Sequence, residues 1–410
     1  MARRLAAQPR LPPEPMGKAA STMRLLCVSH YFESHRGGIE MAAGQLARSL
    51  GSKMDVTWAA SDATPAPTDI AALPLRASNM IERRSGLPFP LPTPGAIVRL
   101  VRAVKASDAV LVHDGMYLTS IAAIIAARLL RRPVALVQHI GHVPGSSPFL
   151  SAMFTIADRL FTRPMLRLAS QVVFISDTTA RHFAATPTKR QPALIFNGVD
   201  DSVFLPSRSE KGRQRERAKM GWPTDRPVVL FVGRFIEKKG LLRLRQMAAK
   251  RPNLHWAFAG WGPCDPADWD LPNVSIHRGL SGPGLAALYC AADLLILPSK
   301  SEGFPLVVQE ALACGLRAVC CEDGAKGDPA AAPFVANVSG TGTESEIVDA
   351  YLAQVDRLVA EPDDPRGRSL RADFAHRRYA VQAGAQRYFE LLSSLTQEPR
   401  PSVAGVRATA

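Results

Sequence analysis

An α/β protein of two doubly wound parallel-sheet halves is the fold class that the sequence predicts, and three observations carry it. Short β-branched apolar runs alternate with amphipathic stretches, which is the pattern of βαβ units. The series halts at a charged, proline-flanked stretch, Pro206 to Pro227, and then restarts. With 410 residues at 47% hydrophobic content, the chain is long and apolar enough for two or three domains with real cores.

The first series runs through strand candidates Met23–Ser29, Asp55–Ala59, Ala109–Val112, Val134–Val137, Gln171–Ile175 and Ala193–Phe196, with helical patterns at about 39–50, 95–106, 117–131, 150–168 and 177–185. In the stretch that follows, Arg208, Lys211, Arg213, Arg215, Arg217 and Lys219 face three acids, a composition that predicts a linker with a short solvated helix. The second series opens on Val228–Val232 and continues through Leu254–Ala259, Val274–His277, Leu294–Leu297 and Arg317–Cys321, with helices near 240–250, 284–291 and 306–314. Segments 344–360 and 370–394 read as closing helices. The expected division is a disordered tail at 1–22, an N-terminal domain at 23–205, a linker at 206–226, a second domain at 227–375, a closing helix at 376–395 and a tail at 396–410. Two such halves imply a cleft, with ligands held outside the carboxyl ends of the strands.

The net charge of +14 is uneven: residues 1–23 contribute +3, residues 24–190 contribute +9 and residues 191–410 only +2. No stretch reaches the roughly 18–20 apolar residues of a membrane span, since Tyr117–Leu130 is broken by Thr119, Ser120 and Arg128. Before Met23 there is no apolar leader core, and Pro12, Pro13 and Pro15 break any transit helix. Six cysteines show no CxxC spacing, so a reduced, zinc-free cytoplasmic protein is expected. Few aromatics interleave the cations, which argues against nucleic acid. The cations suit anionic lipid headgroups instead, each worth about 1 kcal/mol near the surface. Arg83, Arg84, Arg99, Arg102, Lys105, Arg131 and Arg132 are the contributors expected, with Leu87–Leu91 as an apolar contact.

Two motifs carry chemistry. Directly after the restart strand comes Gly233-Arg-Phe-Ile-Glu-Lys-Lys-Gly240, in which Gly233 permits close backbone approach and Arg234 and Lys239 place two cations at a strand-to-helix turn that itself favours an anion. Further on, Leu294–Leu297 leads into Pro298-Ser-Lys-Ser-Glu302-Gly303-Phe304-Pro305-Leu306-Val307 and then Glu310. Pro305 suits a helix N1 position, and the amides of Phe304, Leu306 and Val307 would crown the helix with donors for phosphate oxygens. Glu302 and Glu310 are too far apart to share one small ion and are expected to accept from different hydroxyls.

The Glu302-x7-Glu310 spacing, the Gly-Arg-Phe…Lys-Gly run, Glu-Ala-Leu-Ala-Cys-Gly at 310–315, Asn197-Gly-Val-Asp200, and Gly37-Gly38-Ile-Glu40 after the first strand together resemble glycosyltransferase family 4 over about residues 24–392. That resemblance implies a GT-B fold of two Rossmann-like domains facing across a cleft, with C-terminal helices closing back on the N-terminal domain. It implies a retaining, hexosyltransferase-type enzyme that takes a nucleoside-diphosphate sugar and a saccharide or lipid-linked acceptor in polysaccharide or glycolipid synthesis, with no metal or other cofactor. By it, Arg234 and Lys239 hold the diphosphate, Gly303 to Val307 extend that cradle, Glu310 binds ribose hydroxyls and Glu302 faces the sugar. Gly37 and Gly38 let the first loop approach the donor phosphate, and Gly260–Pro263 and Gly279–Leu280 flank the base. His139 points to the reacting centre, with His113 and His142 as alternatives. A cytoplasmic enzyme, peripheral on the inner membrane face, is expected.

Two features depart from the family pattern. Glu322-Asp-Gly-Ala-Lys-Gly-Asp328 stands where Gly-Gly followed by a glutamate is usual, which bears on sugar specificity, and Pro305 stands where glycine is frequent. Asp268-Trp-Asp270 lies in a proline-rich loop and is not read as a metal motif. The alternatives are a sugar-nucleotide-binding subunit without turnover, a nucleotide-sugar epimerase and a sugar phosphorylase. A dehydrogenase is disfavoured because Ser29–Gly38 lacks Gly-x-Gly-x-x-Gly.

Overall fold

The apolar runs form strands whose side chains are buried almost throughout, as parallel sheets covered on both faces require. The computed structural model describes residues 22–141, 148–207 and 209–397. Its first sheet has seven parallel strands, in spatial order Ala71–Leu75, Asp55–Ser61, Arg24–Tyr31, Ala109–His113, Val134–Gln138, Gln171–Phe174 and Ala193–Leu194. The second has six, in order Val274–His277, His255–Trp261, Val228–Arg234, Leu294–Leu297, Arg317–Cys321 and Val335–Val338. In each, chain order reverses beside the first strand, which places a switch point at Arg24–Tyr31/Ala109–His113 and another at Val228–Arg234/Leu294–Leu297.

Two strands of these sheets escaped the sequence pattern, as did the short antiparallel pair Ala77–Ser78 and Leu91–Pro92. Ala71–Leu75 carries Pro74 and lies on a sheet edge, where a missing N–H is tolerated. Val335–Val338 is an edge of the second sheet, short and half-exposed in its middle. The helix expected over 150–168 is instead Pro148–Ala157, a π-helical turn at Asp158–Thr162 and Arg163–Leu168. Pro164, which cannot donate to residue 160, sits directly behind the widened turn.

Two expectations need correction. The charged stretch does contain a helix, Glu210–Lys219, exposed over most of its surface as expected, but one face of it is turned inward. Arg213 and Arg217 are buried, donate to the carbonyls of Ala292 (3.1 Å) and Ala291 (2.8 Å), and share Asp293, whose Oδ2 also accepts from Val228 N at 2.7 Å. The helix is thus fastened to the second domain at the start of its first strand. The segment 370–394 is two helices, Pro365–Tyr379 and Val381–Gln397. Ala380 between them is extended, because Val199 donates to Tyr379 O at 2.7 Å and accepts from Val381 N at 2.9 Å.

The last helix returns to the first domain: Ala385, Tyr388, Leu392 and Leu395 share a core with Leu25, Leu46, Leu50 and Trp58. The opposite face of that sheet packs on Leu100, Val104, Ile124 and Leu166, and the second domain has one continuous core through Phe231, Phe258, Leu295, Val308 and Tyr351. The two domains also touch along the cleft, where Asp177 N donates to Gly327 O at 2.7 Å and Thr178 Oγ1 to Asp323 O at 2.9 Å.

Candidate active site

Both motif loops of the second domain sit at its switch point and are pressed together. Gly240, at φ +80°, ends a short turn whose backbone lies against Pro298: a Cβ there would come within 2.2 Å of Pro298 O. Lys300 N donates to Lys238 O at 2.9 Å, and Arg243 reaches Pro298 O at 3.3 Å while pairing with Glu344 at 2.8 Å. This packing sets Lys239 Nζ 2.5 Å from Glu302 Oε1. Burial alone would raise the Glu302 pKa, but the charge and hydrogen bond of Lys239, with Ser299 and Lys238, hold it below the usual carboxylate value.

Arg234 ends the strand Val228–Arg234 exposed, and among the described residues no ion pair involves it. Its register partner on the neighbouring strand is Trp261. Gly260 precedes that tryptophan at φ +156°, and a Cβ there would meet Gly233 O at 1.9 Å, so the two loops can lie side by side only because position 260 is glycine. Arg36, from the first loop of the N-terminal domain, places its guanidinium 5.5 Å from the Trp261 ring.

Pro305 is the N-cap of the helix Leu306–Ala313 rather than its first residue, with φ −63° and ψ 136°. Leu306 and Val307 therefore open the helix with amides that have no intrahelical acceptor. Phe304 turns inward, packing at 5.7 Å from Phe196 and 5.4 Å from Tyr379. Gly303 faces the N-terminal domain, its Cβ position 3.4 Å from Ser176 Oγ and 3.8 Å from His139 O. Glu310 is buried and accepts from Tyr289 Oη at 2.8 Å; burial pushes its pKa up to about 7 despite that bond. Glu302 and Glu310 thus have different partners within the protein, Lys239 and Tyr289.

On the N-terminal side, Gly37 caps the helix Gly38–Gly51, and a Cβ on it would strike Glu40 Oε2 at 2.1 Å, whereas Gly38 borders open space. Glu40 is the residue whose importance sequence reasoning missed. It is buried, 2.9 Å from His30 Nε2 and 3.1 Å from His35 Nδ1, and His35 Nε2 lies 2.7 Å from Glu82 Oε1. Burial works against its charge, but the two imidazoles hold its pKa well down; His35 is raised, its burial outweighed by Glu40 and Glu82. His30 stacks on Tyr117 at 3.8 Å. The Gly-Gly-Ile-Glu run was the available signal for Glu40; nothing marked His30, His35 or Glu82.

His139 ends the strand Val134–Gln138 beside the Gly303 loop, but its Nε2 lies 3.0 Å from His113 Nδ1, so the two histidines form one neutral pair. Burial brings the His139 pKa down to about 3 and that of His113 well below its ordinary value. His142 lies outside the described residues. Asp114 beside the pair, at φ +65°, accepts from Ile140 N at 3.0 Å and is pushed up to about 6 by burial. The atypical loop forms the helix Glu322–Ala325 and the turn to Asp328, whose buried carboxylate holds Arg378 and Tyr379. A Cβ on its Gly324 would lie 3.4 Å from Glu302 Cβ, so this loop borders Glu302. Trp269 of the Asp-Trp-Asp run packs on Phe258 at 5.1 Å, and no cluster of metal-ligating side chains occurs among the described residues. Leu87–Leu91 is half-buried, with Phe89 at 5.8 Å from Tyr117.

Comparison with known proteins follows this division. Residues 36–203 match the family described as Glycosyltransferase Family 4, and residues 212–375 match Glycosyl transferases group 1. D-inositol 3-phosphate glycosyltransferases of Mycobacterium tuberculosis and Mycobacterium bovis are 35% identical over 190 residues, 43% of this chain and 38% of theirs. The match therefore spans about two fifths of those relatives. Among solved structures, sucrose-phosphate synthase of Thermosynechococcus elongatus superposes with a TM-score of 0.70 at 18% identity, covering 91% of this chain and 99% of that one. Anabaena HepE in complex with UDP and glucose gives 0.68 at 18% identity, covering 91% and 100%. WaaG, a glycosyltransferase involved in lipopolysaccharide biosynthesis, gives 0.63 at 14% identity, covering 90% and 100%. At these identities the structures establish the shared GT-B fold.

Proposed function

From the premise that this chain belongs to the family 4 glycosyltransferases, we propose that it transfers a sugar, with retention, from a nucleoside diphosphate to a saccharide or lipid-linked acceptor. One observation carries the donor half of this reading. At a single switch point, unpaired Arg234, the Lys239–Glu302 pair and the open amides of Leu306 and Val307 lie together, opposite the His139 strand end.

As the bond from the anomeric carbon to the β-phosphate oxygen breaks, the sugar becomes oxocarbenium-like and negative charge gathers on the departing diphosphate. Arg234, Lys239 and the helix amides are positioned for that charge, and such donors are commonly worth about 3–4 kcal/mol each. Glu302, held ionised by Lys239, is suited to accept from sugar hydroxyls, and Glu310 from the ribose. In the proposed same-face attack, the acceptor oxygen bonds to the anomeric carbon and its proton passes to the leaving phosphate oxygen. The neutral His113–His139 pair offers a hydrogen bond near that centre, not a strong base. Exposed Trp261, beside Arg234, is placed to flank the base. The reading invokes no metal ion. That Anabaena HepE was solved with UDP and glucose supports a nucleotide-sugar donor.

A membrane-bound acceptor fits the N-terminal domain. Its excess charge is displayed on exposed Arg83, Arg84, Arg99, Arg102, Lys105 and Arg131. Apolar side chains also face outward on neighbouring helices: Ile125 and Leu129 on Leu118–Leu129, and Met153, Ile156, Leu160 and Phe161 on the segment 148–162. No helix among the described residues is long and apolar enough to cross a membrane, so the association proposed is peripheral, at the cytoplasmic face.

The test is release of nucleoside diphosphate from a panel of nucleotide sugars, with and without lipid-linked saccharides. Turnover of one donor with the anomeric configuration kept is the expected result. Tight donor binding with no release under any pairing would make the chain a binding subunit.

A further inference from the structure

Behind the cleft, where the chain crosses between domains at Ala380, lies a second cavity of about 370 Å3, lined by Leu194, Phe196, Phe374, Arg377, Arg378 and Arg387. That volume is within the range of small-molecule sites. Its polar wall is wholly cationic: three guanidinium groups and no carboxylate line it. Arg378 is engaged by Asp328 and lies 4.9 Å over the Phe196 ring, but no ion pair involves Arg377 or Arg387 among the described residues. Two guanidinium groups without an ion-pair partner among the described residues line one cavity, and an anion bound there would be within reach of both charges. Guanidinium forks match phosphate oxygens in two-point geometry. Leu194, Phe196 and Phe374 make the rest of the wall apolar, so the fitting ligand is not a bare ion.

We propose that this cavity binds an organic phosphate, with the phosphate between Arg377 and Arg387 and its carbon portion against Leu194 and Phe374. The site is separate from the donor loops but adjoins them. Phe196 packs on Phe304 at 5.7 Å, and Phe374 on Tyr379 at 5.8 Å, so the occupant would touch the aromatic cluster that backs the Glu302–Leu306 loop. It would also seat against both helices that flank the interdomain crossing.

The probe is phenyl phosphate, titrated calorimetrically at fixed ionic strength into the full chain, its Arg377→Ala/Arg387→Ala variant and its Arg234→Ala variant. Both arginines are exposed, and unchanged thermal melts would show that the variants fold. Affinity should fall about tenfold or more in the Arg377/Arg387 variant and persist in Arg234→Ala. Equal affinity in wild type and the Arg377/Arg387 variant, or loss only with Arg234→Ala, overturns the site. Sedimentation with phosphatidylglycerol vesicles separates two sources of the same chemistry. Salt-sensitive binding that the Arg377/Arg387 variant loses assigns the phosphate to a lipid headgroup. Phenyl phosphate binding with identical sedimentation assigns it to a soluble organophosphate.

Discussion

Glu310 stands on the helix Leu306–Ala313 with Tyr289 as its hydrogen-bond partner, and its response to pH follows from that setting. The folded state raises its pKa to about 7, from about 4.3 in an unfolded chain, so the native protein binds its proton more tightly. That contribution is fully present below about pH 4.3 and is lost as pH rises through about 7, a change of about 3–4 kcal/mol. Glu310→Gln should therefore match wild type in melting temperature near pH 4.5 and exceed it at pH 8, while the donor KM rises. Equal melting differences at both pH values would show that the carboxyl is not held neutral. Arg234→Ala should behave oppositely, leaving the exposed site's stability unchanged and lowering kcat about 100- to 1,000-fold, as removal of one charge-stabilising donor does. Steady-state kinetics beside a thermal melt would check both halves of that expectation.

At the scale of elements, the helix Glu210–Lys219 gives the sharpest test. Asp293→Ala would leave Arg213 and Arg217 buried without their counter-charge, and breaking such a pair costs about 3–5 kcal/mol. Urea unfolding should show a loss of that size, with no change in the first domain's own transition. The same helix marks the limit of what sequence reveals. Strands such as Val228–Arg234 and Leu294–Leu297 are legible because burial on both faces demands unbroken apolar runs, and Arg234, Lys239 and Glu302 are legible because they follow those runs directly. Arg213 and Arg217 look solvated in isolation, since the aspartate that draws them inward is 80 and 76 residues away. Ala380 has no glycine or proline beside it, so the break there comes from Val199, distant in the chain. His30, His35 and Glu82 meet around Glu40 only after folding, and no spacing rule joins them.

For the whole molecule, the last helix is expected to matter more to the first domain than to the second. Ending the chain at Ala380 would remove Ala385, Tyr388, Leu392 and Leu395 from a core shared with Leu25 and Leu46. At about 1.5–3 kcal/mol per large apolar side chain, that loss approaches a domain's total stability. Calorimetry of the shortened chain should show the first domain's transition lowered or absent and the second domain's preserved. The basic face makes a separate prediction: Leu129→Glu with Leu160→Glu, at positions 78% and 63% exposed, should abolish sedimentation with anionic vesicles without changing turnover of a soluble acceptor.

The return of the last helix also brings the two ends of the described chain together, Thr396 Oγ1 donating to Met23 Sδ at 3.7 Å. The second domain is therefore an insertion within the first. On a ribosome the first seven-stranded sheet would emerge early yet wait, one face uncovered, until the entire second domain had been synthesised. Domains ordinarily fold in the order they are made. Here the half translated first would be the half completed last, and a chain released early would carry a finished second domain beside an open sheet.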